Sequence, residues 1–231
     1  MDMRSLAPLT ICVLLATLIW IERRPSSRIL PDVGITPMRN RNADENIWIR
    51  DGEQWDSVIR LPAWEASFSG EPGLHGLVVV DATEDESAVR AKYAPALAYL
   101  REHQKILREA MLPELARTQN ETNALVLQTF RDHPVQMALM PYMKDAEKQL
   151  RKTVTVDDAR AMFTLGSVYL LPLRKDGMPY IGFHFESEMD PEHGLGVMMH
   201  GDRVVEVGIE AAYYFGNYQH SAADRDGGEP F

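Results

Sequence analysis

Two stretches decide the fold class: Val168–Glu186, VYLLPLRKDGMPYIGFHFE, and Leu195–Gly208, LGVMMHGDRVVEVG. From Leu165 onward the apolar residues recur every second position, the period of a strand with one face on a core. Val168-Tyr169-Leu170-Leu171 reads as a strand, and Lys175-Asp176-Gly177 as a hairpin turn, because Asp-Gly tolerates the left-handed backbone such a turn needs. In the next strand Ile181, Phe183 and Phe185 share one face, and Tyr180, His184 and Glu186 share the other. Leu195–His200 and Arg203–Gly208, joined by Gly201-Asp202, complete a four-strand antiparallel meander with one face on a core and the other more polar.

Working back from the meander, the period becomes helical. Thr155-Val156-Asp157-Asp158 reads as a capping box opening a short helix that runs to Phe163. Leu97, Leu100, Leu107 and Met111 recur at helical spacing, with Arg101, Glu102, Lys105 and Arg108 on the other face. Thr83-Glu84-Asp85-Glu86 reads as the capping box of that region. Pro95 is expected at a first turn or a kink, and Pro113 at an end or a bend. Weaker helical stretches follow at Ala124–Phe130 and Pro141–Lys152, and the Met137, Met140, Met143 stripe reads as core packing. Before the helices, Ile47 and Ile49 precede an Asp51-Gly52 turn, Pro62 breaks the segment that follows, and Leu77–Val80 is a β-branched strand. Trp48, Trp55 and Trp64 read as core anchors. Strands at both ends and helices between them predict an α+β domain, an antiparallel sheet with central helices packed on one face.

The domain is expected over residues 47–218, with a flexible acidic tail at 219–231 and a linker rich in Pro, Ser, Arg and Asn at 25–46. Residues 1–24 hold the 16-residue uncharged run Leu6–Ile21, a little short of the roughly 20 apolar residues of a spanning helix. Ile19-Trp20-Ile21-Glu22 offers no small residues for signal cleavage. The run therefore reads as a single N-terminal hydrophobic helix outside the domain, attaching the protein to a membrane through residues 6–21. The alternatives are a cleaved signal of an exported protein and a cytoplasmic protein starting downstream, for example at Met38. Arg23, Arg24 and Arg28 outnumber Arg4, which favours a cytoplasmic C-terminal side.

With 24 Lys+Arg against 34 Asp+Glu and a net charge of −10, the 231-residue chain lacks the basic surface of a nucleic-acid binder. Its one cysteine, Cys12, lies in the apolar run, which excludes an intramolecular disulfide framework and cysteine-rich zinc modules. Gly166-Ser167 lacks the second half of a nucleophile elbow, and neither a Walker loop nor a dinucleotide fingerprint is present. No cofactor and no catalytic residue is expected. The one dense polar constellation is His184, Glu186, Glu188, Asp190, Glu192, His193 and His200. His184, Glu186, Asp190, His193 and His200 offer the imidazole and carboxylate donors of a zinc or manganese site, without the His-Glu-x-x-His spacing that would mark one. In residues 182–231 only Arg203 and Arg225 face ten acids, so Glu186, Glu188, Asp190, Glu192 and Asp202 form the expected surface for a basic protein partner.

Tyr180–Phe185, Asp190–Val197 and Arg203–Gly208 resemble an uncharacterised bacterial domain family of unknown function. Its members carry Y-I-G-F-x-F, W-D-x-E-H-G-L-G-V and R-V-x-E-x-G in a C-terminal meander. Leu61-Pro62-Ala63-Trp64 and the Ala94–Leu107 helix are similar to the family's opening, and the likeness spans roughly Ile47 to Tyr213. Met189 stands where the family pattern has Trp. The resemblance implies an α+β fold and bacterial origin, and no catalytic residue. By analogy with small acidic domains of bacterial competition systems, the leading reading is a non-enzymatic, immunity-like interaction domain. The alternative is a metal-dependent enzyme on the C-terminal hairpin.

Overall fold

The computed structural model describes residues 47–64, 72–83, 85–132, 143–186, 194–208 and 222–231. The apolar run at 6–21, the linker at 25–46, and Met137 and Met140 lie outside them. Among the described residues no helix is long and apolar enough to cross a membrane.

The described residues open with a hairpin of β1 (Ile49–Asp51) and β2 (Gln54–Arg60), turned at Gly52, followed by β3 (Leu74–Val80). Helix α1 (Glu86–Asp132), α2 (Met143–Leu150) and α3 (Val156–Met162) then separate β3 from β4 (Thr164–Lys175). The expected meander follows as β4, β5 (Met178–Glu186), β6 (Leu195–His200) and β7 (Arg203–Gly208), each pairing antiparallel with the next. The strands lie in the order β1-β2-β3-β4-β5-β6-β7.

The sheet corrects the expectation of a purely antiparallel array. β3 and β4 are parallel, with Gly76 opposite Ser167 and Val79 opposite Leu170. Parallel neighbours require a crossover, and the helices supply it. Two of these strands come from opposite sides of the helical region, so no local pattern could have set their relative direction.

A single 47-residue helix runs through Pro113, where an end or a bend was expected, and absorbs the stretch at Ala124–Phe130. At about 1.5 Å per residue it is roughly 70 Å long. Pro95 and Pro113 both lie inside it, although each lacks the N–H that would donate to the carbonyl four residues earlier. Burial outweighs that loss: Tyr93, Ala96, Leu100, Leu107, Met111, Leu112 and Leu115 are all essentially inaccessible in the main core. The helix start is also one turn chemistry away from the expectation. Asp85 caps it, its Oδ1 accepting from the Ser87 and Ala88 amides, while Thr83 N–H donates to Asp81. The second capping box is as expected, with Thr155 and Asp158 exchanging bonds. Asn120 on α1 pins the approach to α3 by pairing with both the N–H and the C=O of Val154.

The main core joins α1 and α3 to one face of the sheet through Leu77, Val79, Val168, Leu170, Ile181, Phe183, Phe185 and Val197. Trp48, Trp55 and Trp64 are buried in it as expected, with Trp64 against Phe183 and Phe185. The opposite face is not simply polar. Val80, Leu171, Leu173, Tyr180 and Met198 form a second apolar cluster, closed by Ala222 and Ala223. These alanines belong to α4 (Ala222–Arg225), which leads into β8 (Glu229–Pro230). Residues 222–231, which fall in the expected flexible tail, thus form this short helix and strand against the sheet. β8 pairs antiparallel with β4 at Leu173 and Arg174, continuing the edge that β3 occupies farther back along β4.

Candidate functional site

The expected metal donors that fall within the described residues do not converge. His184 is on β5 opposite Gly196, and His200 ends β6 four positions beyond it. At about 3.3 Å per residue that is roughly 13 Å along the strand, too far for one ion to bind both. His200 is also engaged: its Nε2 donates to the Lys175 carbonyl at 2.7 Å, and its ring lies 4.9 Å from that of Tyr180. The His184 ring packs on Gly194, where a Cβ would stand 2.5 Å from Nε2, and Gly194 has a φ of +68°. Glycine meets both demands there. Glu186 is exposed at the end of β5. Glu188, Asp190, Glu192 and His193 lie outside the described residues, and among the described ones no His/Cys/Asp/Glu group could hold a metal.

Asp202, the remaining acidic surface residue of that set, is placed differently. It sits in the β6–β7 turn, a strand's length from Glu186, so the described acids do not make one patch. Beside it a groove of about 370 Å³ runs along β7, with Val204 and Glu206 on the strand side and Ala110, Glu114 and Arg117 on the α1 side. Among the described residues β7 is the last strand of the sheet, and no described strand pairs with its outer edge. Arg117 is held by Glu114 at 2.8 Å and Glu121 at 2.7 Å, and Arg225 reaches Glu206 Oε1 at 3.0 Å. The second carboxylate oxygen of Glu206 has no hydrogen-bond partner and is shielded from solvent. The lining thus carries three carboxylates, Glu114, Asp202 and Glu206, against the one guanidinium of Arg117, leaving it net negative.

Two polar arrangements escaped the reading of the residues. The first is centred on Asp226, whose carboxylate accepts from Tyr180 OH at 2.8 Å, Lys175 Nζ at 3.2 Å and Arg203 at 2.5 Å. The Arg203 hydrogen bond, followed by those of Tyr180 and Lys175, holds the Asp226 carboxyl far below the ordinary range against the opposing effect of desolvation. Desolvation first, then the bond to Asp226, pushes the Tyr180 phenol well above its usual value. The cluster is fully satisfied within the fold and ties the C-terminal segment to the meander. Its only sequence signal was one of three acids, Asp224, Asp226 and Glu229, in a Gly-containing tail.

The second is His75 on β3, buried on the main-core face. Its Nδ1 lies 3.0 Å from the Leu165 carbonyl and its Nε2 3.2 Å from that of Trp64. A neutral ring donates to only one of them. Desolvation is the dominant influence and lowers the His75 pKa, against the opposing pull of the carbonyls. An isolated histidine before a β-branched run carries no mark of this environment.

Neither the curated proteins nor the solved structures contain a match to the chain. A family model does match, over residues 63–214, from just before Trp64 through the crossover helices and the meander to beyond β7. The chain thus belongs to the family described as Domain of unknown function (DUF6985).

Proposed function

We propose that this chain is a non-enzymatic protein-interaction module that meets a basic partner through the groove between α1 and β7. The observation that supports the reading is the groove itself, where Glu114, Asp202 and Glu206 line a concave site on a chain of net charge −10. Like-signed carboxylates beside a low-dielectric wall concentrate their field in the cleft, which speeds encounter with cations and disfavours acidic competitors. Asp202 lines the groove and carries no ion pair among the described residues. Attachment to a membrane through residues 6–21 belongs to the same proposal, supported by the uncharged run alone. An immunity-like role fits such a module, with a basic toxin domain as the kind of partner.

A fluorescent decalysine peptide tests the groove. We expect salt-sensitive binding by the full chain, weakened about tenfold in an Asp202→Asn/Glu206→Gln double variant, equivalent to about 1.4 kcal/mol. Equal binding by the variant would remove the groove from the reading. For the tether, cells expressing the full chain should carry it in the membrane fraction, and a version starting at Met38 should not. Recovery of both in the soluble fraction would end that part of the proposal.

A further inference from the structure

The groove has a floor of unusual kind, the outer edge of a strand. Alternate residues of β7 turn their N–H and C=O groups away from β6, as every edge strand does. These groups run beside the wall that α1 provides through Ala110 and Glu114. The two sides of the edge differ in a way that reads alternate residues of an added strand. Val204 and Val207 pack toward the main core beneath α1, whereas Glu206 pairs with Met198 and belongs to the opposite face. A strand lying along β7 would therefore place one side chain near Glu114 and the next near Glu206.

We propose that the partner enters the groove as an extended basic segment that adds to the edge of β7 as a further antiparallel or parallel strand. This rests on the acidic-groove reading and goes beyond it by assigning the partner's conformation. Strand addition derives affinity from main-chain hydrogen bonds and selectivity from the alternating side chains. Here the selectivity is for lysine or arginine, interspersed with small or β-branched residues against Val204 and Val207. β7 has six residues, which limits the added segment to about the same length.

The edge also carries features that natural sheets use to discourage indiscriminate pairing. A register shift between Met198 and Met199 gives β7 an extra residue at Val205, and Arg203 and Glu206 are charged. A bulge and charged side chains oppose pairing with an arbitrary strand. They do not oppose one whose cations match the groove, so the same features become a filter.

The test uses the full chain and an eight-residue peptide of alternating lysine and valine, followed by fluorescence anisotropy. Two twins carry backbone N-methyl groups, one at the odd and one at the even residues, and a third replaces lysine by glutamate. We expect the parent to bind, the glutamate peptide not to bind, and only one N-methylated twin to lose at least about tenfold in affinity. Amide exchange over residues 203–208 should slow when the parent is bound. If both methylated twins bind like the parent and exchange is unchanged, strand addition is overturned while decalysine binding leaves the acidic groove standing. If decalysine binds and the lysine–valine peptide does not, strand addition again falls alone. If neither binds, the groove reading falls and takes the inference with it.

Discussion

On the face toward α1, strand β5 presents Ile181, Phe183 and Phe185, all inaccessible to solvent, and α1 and α3 cover them with apolar side chains. On the opposite face the same strand presents Tyr180, His184 and Glu186, and the C-terminal segment packs on Tyr180, which donates to Asp226. One side is held mainly by area removed from water, which depends little on salt or pH apart from the buried, titrating His75. The other combines a small apolar cluster with charge-assisted hydrogen bonds, which depend on both. The acidic groove lies where these two regimes meet, with α1 on one side and Glu206, bonded to Arg225 of the C-terminal segment, on the other.

The largest effect separating the two faces is expected from Phe183→Ala. It removes a fully buried ring packed beside Trp64 and should cost about 3–5 kcal/mol in urea unfolding. Asp226→Asn on the opposite face should cost less, about 1.5–3 kcal/mol, because it weakens three charge-assisted bonds without creating a cavity. An equal or larger loss from Asp226→Asn would erase the distinction drawn between the faces.

Titration sharpens the same comparison. The lowered pKa of His75 means that the unfolded chain takes up a proton around 6.5 while the folded ring stays neutral. Stability should therefore be full above that pH, fall as pH drops below it, and level off once the folded ring also protonates. His75→Gln should flatten this part of a pH–stability profile. Asp226 acts at more acid pH. Its folded pKa is depressed, so its contribution is complete above the ordinary 3.8 and is lost as pH falls toward the folded value. At the alkaline end Tyr180 remains a neutral phenol while the unfolded chain ionises near 10, so stability should decline above that pH. Tyr180→Phe should reduce this alkaline limb, leaving the part due to Tyr99 and Tyr169, which burial also raises, and an unchanged limb would assign it to those groups.

The smallest stability effect is expected at the groove. Asp202→Asn should shift unfolding by no more than about 0.5 kcal/mol, since the residue lies in a turn without an ion pair among the described residues. A peptide-binding loss with an unchanged unfolding midpoint would separate recognition from folding in a single variant.

The meander was legible because its signals are local. Asp176 and Gly177, at φ of 52° and 77°, make the turn that an Asp-Gly pair announces, and alternation assigns Phe183 and Tyr180 to opposite faces. The long helix was legible only in part. Its first half shows helical spacing, but Pro113 argues locally for a break, and only the burial of Met111, Leu112 and Leu115 outweighs it. The His/carboxylate cluster looked dense because sequence proximity was taken for spatial proximity. Along a hairpin, His184 and His200 are carried to different ends. Asp226 was invisible for the converse reason, since its partners Lys175, Tyr180 and Arg203 are 51, 46 and 23 residues away.

By itself the sequence determined the α+β class, the order and turns of β4–β7, the core role of the tryptophans and the negative charge of the chain. Each depends on residue type at short spacing, where backbone geometry dictates which side chains share a face. Only the tertiary structure decided that β3 and β4 run parallel, that the C-terminus closes the second apolar cluster, and that Glu114 joins Asp202 and Glu206 around one groove. These pairings join residues far apart in the chain. Their free energy comes from burial and hydrogen bonds that exist only after the crossover has brought both ends of the domain into one sheet.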